Sequence, residues 1–214
     1  QALTQSDCCW ACAEQGAQPP VDERQRWHQL LDQALQQGRL QLYVQAVYRT
    51  QPSGQVLHHK VLARLLDEQG QAIAAGQFLP SLERFGWASR LDMAMLEQLL
   101  PRLAELAEPV ALSLSGSTLR DAQALQALYQ RLQAYTAQAH LLTLELDEDQ
   151  LPDAATLEAL TQRLRSLGYG LGLQHFGGRF SMIGNLAHLG LAYLKIDGSY
   201  IRNIDHEQHK RLFI

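Results

Sequence analysis

The strongest constraint on this chain is a change of rhythm after residue 66. Up to that point, LQLYVQAVYRT and QVLHHKVLARLL are two strand-like runs flanking QPSG, which reads as a hairpin. Beyond it, short apolar runs alternate with helix-spaced segments. A helix is expected over 89–107, with Pro101 kinking or dividing it, and others over 121–135 and 156–167. A short helix is expected near 182–188, and a last one starting near Asp205. The strands between them are VALSLS, LLTLEL, YGLGLQHF and AYLKID, giving six with the hairpin. Strands alternating with helices imply a parallel α/β sheet. An open doubly wound sheet and a closed eight-stranded barrel both satisfy that pattern.

In the hairpin's second run, residues two apart share a face. Lys60, Leu62 and Arg64 therefore point one way, and Val61, Ala63 and Leu65 the other. Two cations beside a leucine suit either an edge strand with a solvated face or a site. Both sheet architectures gather ligands at the carboxyl ends of the parallel strands. The polar residues at those ends are Arg64, Ser113, Ser115, Glu145, Asp147, Glu148, Gln174, His175, Lys195 and Asp197. In a barrel they converge on one mouth.

Residues 1–20 stand apart, holding Cys8, Cys9 and Cys12 and ending in the breaker cluster QGAQPP. The three thiols have no fourth ligand nearby and read as reduced cysteines rather than a metal site. A helix follows, with Asp22 as its expected cap and Gly38 as its stop. A net charge of -4 argues against a nucleic-acid coat. No run of 18 apolar residues is present. His58, His59, His206 and His209 are read as scattered near loops and ends. Opening on QALTQSD and ending on RLFI, the sequence reads as a piece of a longer protein.

The segments LYVQAVY, KVLARL, QFLPSLERFG, LSLS, LTLELDE, QHFGGRFS and LKIDGSYI resemble, in order and spacing, the EAL domain. These are barrel phosphodiesterases that cleave cyclic di-GMP. The resemblance implies an α/β, TIM-like (β/α) barrel whose first strand is antiparallel. It makes 21–214 an EAL-like barrel domain lacking its last two strands, and 1–20 a linker or the tail of a preceding GGDEF-like domain.

The departures from the family pattern lie in the site. The Glu-Ala-Leu tripeptide aligns with Lys60-Val61-Leu62, the Asn of Asn-x-Ser with Ser113, and the paired aspartates of Asp-Asp-Phe-Gly with Gln174 and His175. Arg64, Glu145, Glu148, Lys195 and Asp197 are retained, and Gln45 matches the family's first-strand glutamine. Lys195 aligns with the general base or water-positioning group of active relatives. The family uses two divalent cations to activate water and clamp the scissile phosphate, and such cations need hard oxygen ligands. An ammonium where a ligand stood repels each unit of metal charge by about 4 kcal/mol at about 4 Å and an effective dielectric near 20.

From this we expect no enzyme and no required divalent metal, but a receptor for cyclic di-GMP. Its expected ligand-binding set is Gln45, Lys60, Leu62, Arg64, Ser113, Glu145, His175, Phe176, Gly177, Lys195 and Asp197, with Leu62 and Phe176 offering apolar surface to ribose or base. KVLARL with Ser113 and Gln174-His175 is similar to the family's membrane-anchored receptors. That similarity implies a cytoplasmic, homodimeric domain of an inner-membrane protein that controls a periplasmic protease and biofilm adhesion. Two alternatives stand beside it. One is a vestigial interaction domain in which Lys60 plugs the site through a salt bridge to Glu145. The other is an active phosphodiesterase with Glu145, His175 and Asp197 as metal ligands.

Overall fold

The structure is a computed structural model and describes residues 21–50, 54–106, 108–177, 189–202 and 204–206. Residues 1–20, the 182–188 helix and most of the segment after Asp205 lie outside the described residues. So do three residues of the QPSG turn.

The hairpin is formed by β1 (Leu40–Tyr48) and β2 (Val56–Leu66), paired antiparallel with Gln45 opposite Lys60. A three-residue strand, β3 (Ala72–Ala74), pairs antiparallel with the end of β2. The parallel strands β4 (Val110–Ser113), β5 (Leu142–Asp147), β6 (Gly170–Phe176) and β7 (Tyr193–Ile196) then follow in chain order. Among the described residues the sheet therefore has seven strands rather than the six expected. A strand as short as β3 leaves no periodic signal in the sequence. Among the described residues the path runs from β1 to β7 without closing.

Among the described residues the α-helices before β6 are α1 (Val21–Gln36), α2 (Ala75–Phe85), α3 (Ala88–Leu99), α4 (Gly116–Arg120), α5 (Ala122–Gln133) and α6 (Ala154–Ser166), and a one-turn helix, Gly198–Ile201, follows β7. The described part of α1 starts at Val21, which places Asp22 within the helix. Gly38 follows with φ 64°, a left-handed conformation that ends the helix where the sequence indicates. Pro101 divides the expected 89–107 helix: α3 stops at Leu99 and a 3₁₀ segment continues from Leu100 to Glu105. Asp121 caps α5, its carboxylate accepting from the N–H groups of Gln123 and Ala124.

β2 lies between β1 and β4, so the edge-strand reading fails. Its alternation is the one the sequence gives: Val61, Ala63 and Leu65 are buried, while Lys60, Leu62 and Arg64 are half-buried on the opposite face. The buried row joins Leu112, Leu142, Leu144, Leu146, Leu171 and Leu173 in one core with Phe78, Leu82 and Leu96 from the helices. Each fully buried leucine contributes about 1.5–3 kcal/mol relative to exposure. The sheet's other face carries the site.

Candidate functional site

Register places Ser113, Glu145, Gly172 and Tyr193 at one level, with Ser113 opposite Glu145, Glu145 opposite Gly172 and Gly172 opposite Tyr193. Lys60 pairs with Ala111, two residues before Ser113 on β4, and its long side chain reaches up to that row. Since β4–β7 are parallel, their inward side chains face each other in a row.

Glu145 is the centre, with its side chain fully buried. The Lys60 ammonium donates to Glu145 Oε2. It also donates to Ser113 Oγ at 2.5 Å and reaches Gln174 Oε1 at 3.5 Å. Lys195 pairs with the other oxygen, Oε1. Tyr193 Oη donates to that same oxygen at 2.6 Å. Burial pushes the Glu145 carboxyl upward, but Lys60 and the hydrogen bonds from Lys195, Lys60 and Tyr193 prevail and hold it below the usual glutamate range. Burial lowers the Lys60 ammonium below the usual lysine range. Pairing with Glu145 offsets part of that, and Lys195 adds to it.

Tyr193 and His58 belong to this cluster and were missed at the sequence level. Tyr193 fits because Gly172 has no side chain: a Cβ there would lie 2.7 Å from Tyr193 Cε2. Glycine inside the strand run YGLGLQHF was the available signal, since a strand glycine marks close approach. His58 is 5% exposed rather than near a loop. It stacks on the Tyr193 ring at 5.1 Å between centroids and 5° between planes.

The other expected site residues take different places. Arg64 donates from Nη1 to Ala63 O at 2.9 Å and lies 5.5 Å from the centre of the Tyr43 ring. Gln45 is exposed on β1 opposite Lys60, and Leu62 is half-buried. His175 accepts or donates at Nδ1 to Asp147 Oδ2 over 2.6 Å. It is also the one non-glycine residue with positive φ, 54°, among those described. Phe176, 8% exposed, packs in the core, which removes the open ring surface expected of it. Gly177 is tied on both sides: its N–H donates to Glu148 Oε2 at 2.9 Å and its carbonyl accepts from Tyr200 Oη at 2.5 Å. Asp197 caps the turn Gly198–Ile201 by accepting from the Ser199 N–H at 2.8 Å. Ser115 faces a separate buried carboxylate, Asp92.

These residues do not fit a pair of hard dications. The carboxylate best placed to bind one is occupied at both oxygens by ammonium groups. Among the described residues no group of three or more His, Cys, Asp or Glu side chains is placed to hold a metal ion. Glu145, His175 and Asp197 each make a different contact: with Lys60 and Lys195, with Asp147, and with the Ser199 N–H.

Fold and site define a mixed α/β barrel-type domain with a charged cluster at the carboxyl ends of its parallel strands. The family model described as "EAL domain" matches residues 28–214, and the chain belongs to that family. It is 31% identical over 180 residues to the cyclic di-GMP phosphodiesterase PdeF of Escherichia coli (strain K12), covering 81% of this chain and 24% of that protein. It is 24% identical over 185 residues to the cyclic di-GMP phosphodiesterase PdeB of Shewanella oneidensis, covering 84% of this chain and 22% of that protein. The chain thus spans about a quarter of the length of these curated relatives. Its fold is similar to that of the Vibrio cholerae LapD S helix-GGDEF-EAL structure bound to c-di-GMP. That match has a TM-score of 0.75 and 20% identity, and covers 89% of this chain and 46% of the other. The expected TIM-like barrel fold of the EAL type holds, and so, at the level of fold, does the resemblance to the family's receptors.

One expectation is corrected here. That the chain is no enzyme rested on four substituted positions, yet both curated relatives are named phosphodiesterases. The substitutions bear on how a metal would be held, and that is not a measure of turnover. Among the described residues no helix is long and apolar enough to cross a membrane.

Proposed function

We propose that this domain binds cyclic di-GMP at the strand-end mouth, that binding requires no divalent metal, and that it signals the occupied state to attached domains. The observation carrying the reading is the double pairing of Glu145, with Lys60 on one oxygen and Lys195 on the other. Two ammoniums against one carboxylate leave an excess of positive charge. A phosphodiester supplies the missing negative charge, where a dication would add to the excess. Arg64 gives a second contact. Its only polar partner among the described residues is the Ala63 carbonyl, so most of its fork is open to phosphate. The names of the curated relatives support the choice of ligand. Dimerisation, attachment to GGDEF-like and membrane-anchored segments, and control of a periplasmic protease and biofilm adhesion belong to the same proposal.

A second reading has its own support. The Lys60–Glu145 pair is also what a plugged, vestigial interaction domain would show. Calorimetric titration with cyclic di-GMP in EDTA separates the two. The binding reading expects saturable heat, weakened about tenfold or more by Arg64→Ala through loss of a charge-assisted hydrogen bond. Absence of heat in the unsubstituted domain favours the vestigial reading. Unchanged affinity in Arg64→Ala removes the phosphate clamp.

A further inference from the structure

We infer that His58 is a positioning residue for the nucleotide site, acting through Tyr193 to fix Glu145 and thereby both lysines. The inference deepens the nucleotide-binding reading and rests on it for the affinity consequences only.

The argument starts from what holds Tyr193. Its ring occupies the slot that Gly172 leaves empty, and its hydroxyl ends on Glu145 Oε1. β7 pairs with β6 on one side. On the open flank of the ring stands His58, from β2, stacked nearly parallel. The ring is therefore clamped between a strand backbone and an imidazole. Among the described residues His58 is not placed by hydrogen bonding at its far nitrogen: Nε2 is buried and has no hydrogen-bond partner among them. A buried polar atom without a partner costs about 1–3 kcal/mol, so a residue chosen for packing alone would be an apolar one. What His58 does make is the flat contact with Tyr193.

Charge keeps it in that role. The groups around His58 are Lys195 from β7, Glu145 from β5, and Lys60 and His59 from β2. Burial first, then Lys195, holds His58 below the usual histidine range, with Glu145 opposing. It is a neutral aromatic plate, beside a cluster already rich in cations. Without that plate the Tyr193 ring gains freedom, its hydroxyl leaves Oε1, and Glu145 loses a neutral donor that helps fix its rotamer. Lys60 and Lys195 then no longer present a fixed pair to a phosphate.

The test compares His58→Ala and His58→Phe, alone and with Tyr193→Phe. Proton NMR reads the Tyr193 hydroxyl, which a hydrogen bond to a buried carboxylate shields from exchange. That signal is expected in the unsubstituted domain, lost in His58→Ala and recovered in His58→Phe, which restores a stacking ring. Cyclic di-GMP affinity is expected to fall about tenfold in His58→Ala and to recover in His58→Phe. The double variant His58→Ala/Tyr193→Phe is expected to bind no more weakly than Tyr193→Phe alone, because both changes act on one contact. The inference is overturned by a hydroxyl signal that persists in His58→Ala, or by losses that multiply in the double variant. It is equally overturned if His58→Phe behaves as His58→Ala. The hydroxyl readout needs no nucleotide, so failure of the nucleotide reading is seen separately, as no binding by the unsubstituted domain.

Discussion

Two buried carboxylates, Asp92 and Glu145, are solved in opposite ways. Asp92, 5% exposed on α3, accepts from neutral groups alone among the described residues. The Ser115 N–H reaches it at 2.8 Å, Ser115 Oγ at 2.7 Å and Thr118 Oγ1 at 2.6 Å. Burial outweighs these bonds and raises its pKa above the aspartate range. Glu145, fully buried on β5, is met by two ammoniums and a phenol, and its pKa is lowered. Asp92 staples α3 to the turn after β4, whereas Glu145 holds mobile charge in place at a mouth. Burial alone therefore does not separate a structural carboxylate from a site carboxylate; the charge of its donors does.

The isosteric amide exchange breaks this comparison most sharply. Glu145→Gln leaves Lys60 and Lys195 facing a neutral group in a buried setting, and is expected to destabilise by about 3 kcal/mol or more in urea unfolding. Asp92→Asn keeps an acceptor for neutral donors and is expected to cost about 1 kcal/mol. Equal costs would mean that the lysines reach water unaided and that the cluster is not a unit.

The second effect is on pH dependence. Glu145, with a depressed folded pKa, gives stability present above the ordinary glutamate pKa and lost as pH falls through its folded value. Asp92, with a raised one, gives stability present below the ordinary aspartate pKa and lost as pH rises through its folded value. As pH rises across the acid range, Glu145→Gln is therefore expected to lose ground against the unsubstituted domain and Asp92→Asn to gain it. Denaturation midpoints of the three proteins, measured from acid to neutral pH, check the signs.

Effects smaller than that of Glu145→Gln are expected at the serines, the smallest at Ser113. Ser115→Ala removes one donor from Asp92 and the hydroxyl accepting from Thr118 N–H, for about 1–2 kcal/mol. Ser113→Ala removes a hydroxyl from Lys60, which keeps Glu145, for about 1 kcal/mol or less in the same assay.

What was legible in the sequence follows from the range of the forces involved. Alternation along β2, the stop at Gly38 and the break at Pro101 are local rules, and the chain obeys them. The Lys60–Glu145 contact was within reach because motif order had already placed those two strands. β3 and α4, three and five residues long, are too short to show a period. His58, Tyr193 and Asp92 were invisible as site or staple for another reason. Their roles depend on which strands are neighbours; Gly172 signals a close approach within its strand, but no window of sequence says that Tyr193 is the residue that makes it. Phe176 was misjudged because a residue at a strand end has no local sign of which way it turns.

The central claim is that lysine charge stands at this mouth where the family places dications. The most direct measurement is the affinity for cyclic di-GMP taken side by side in EDTA and in manganese. The account predicts saturable binding of equal strength in both. Binding that appears only when manganese is added would contradict it.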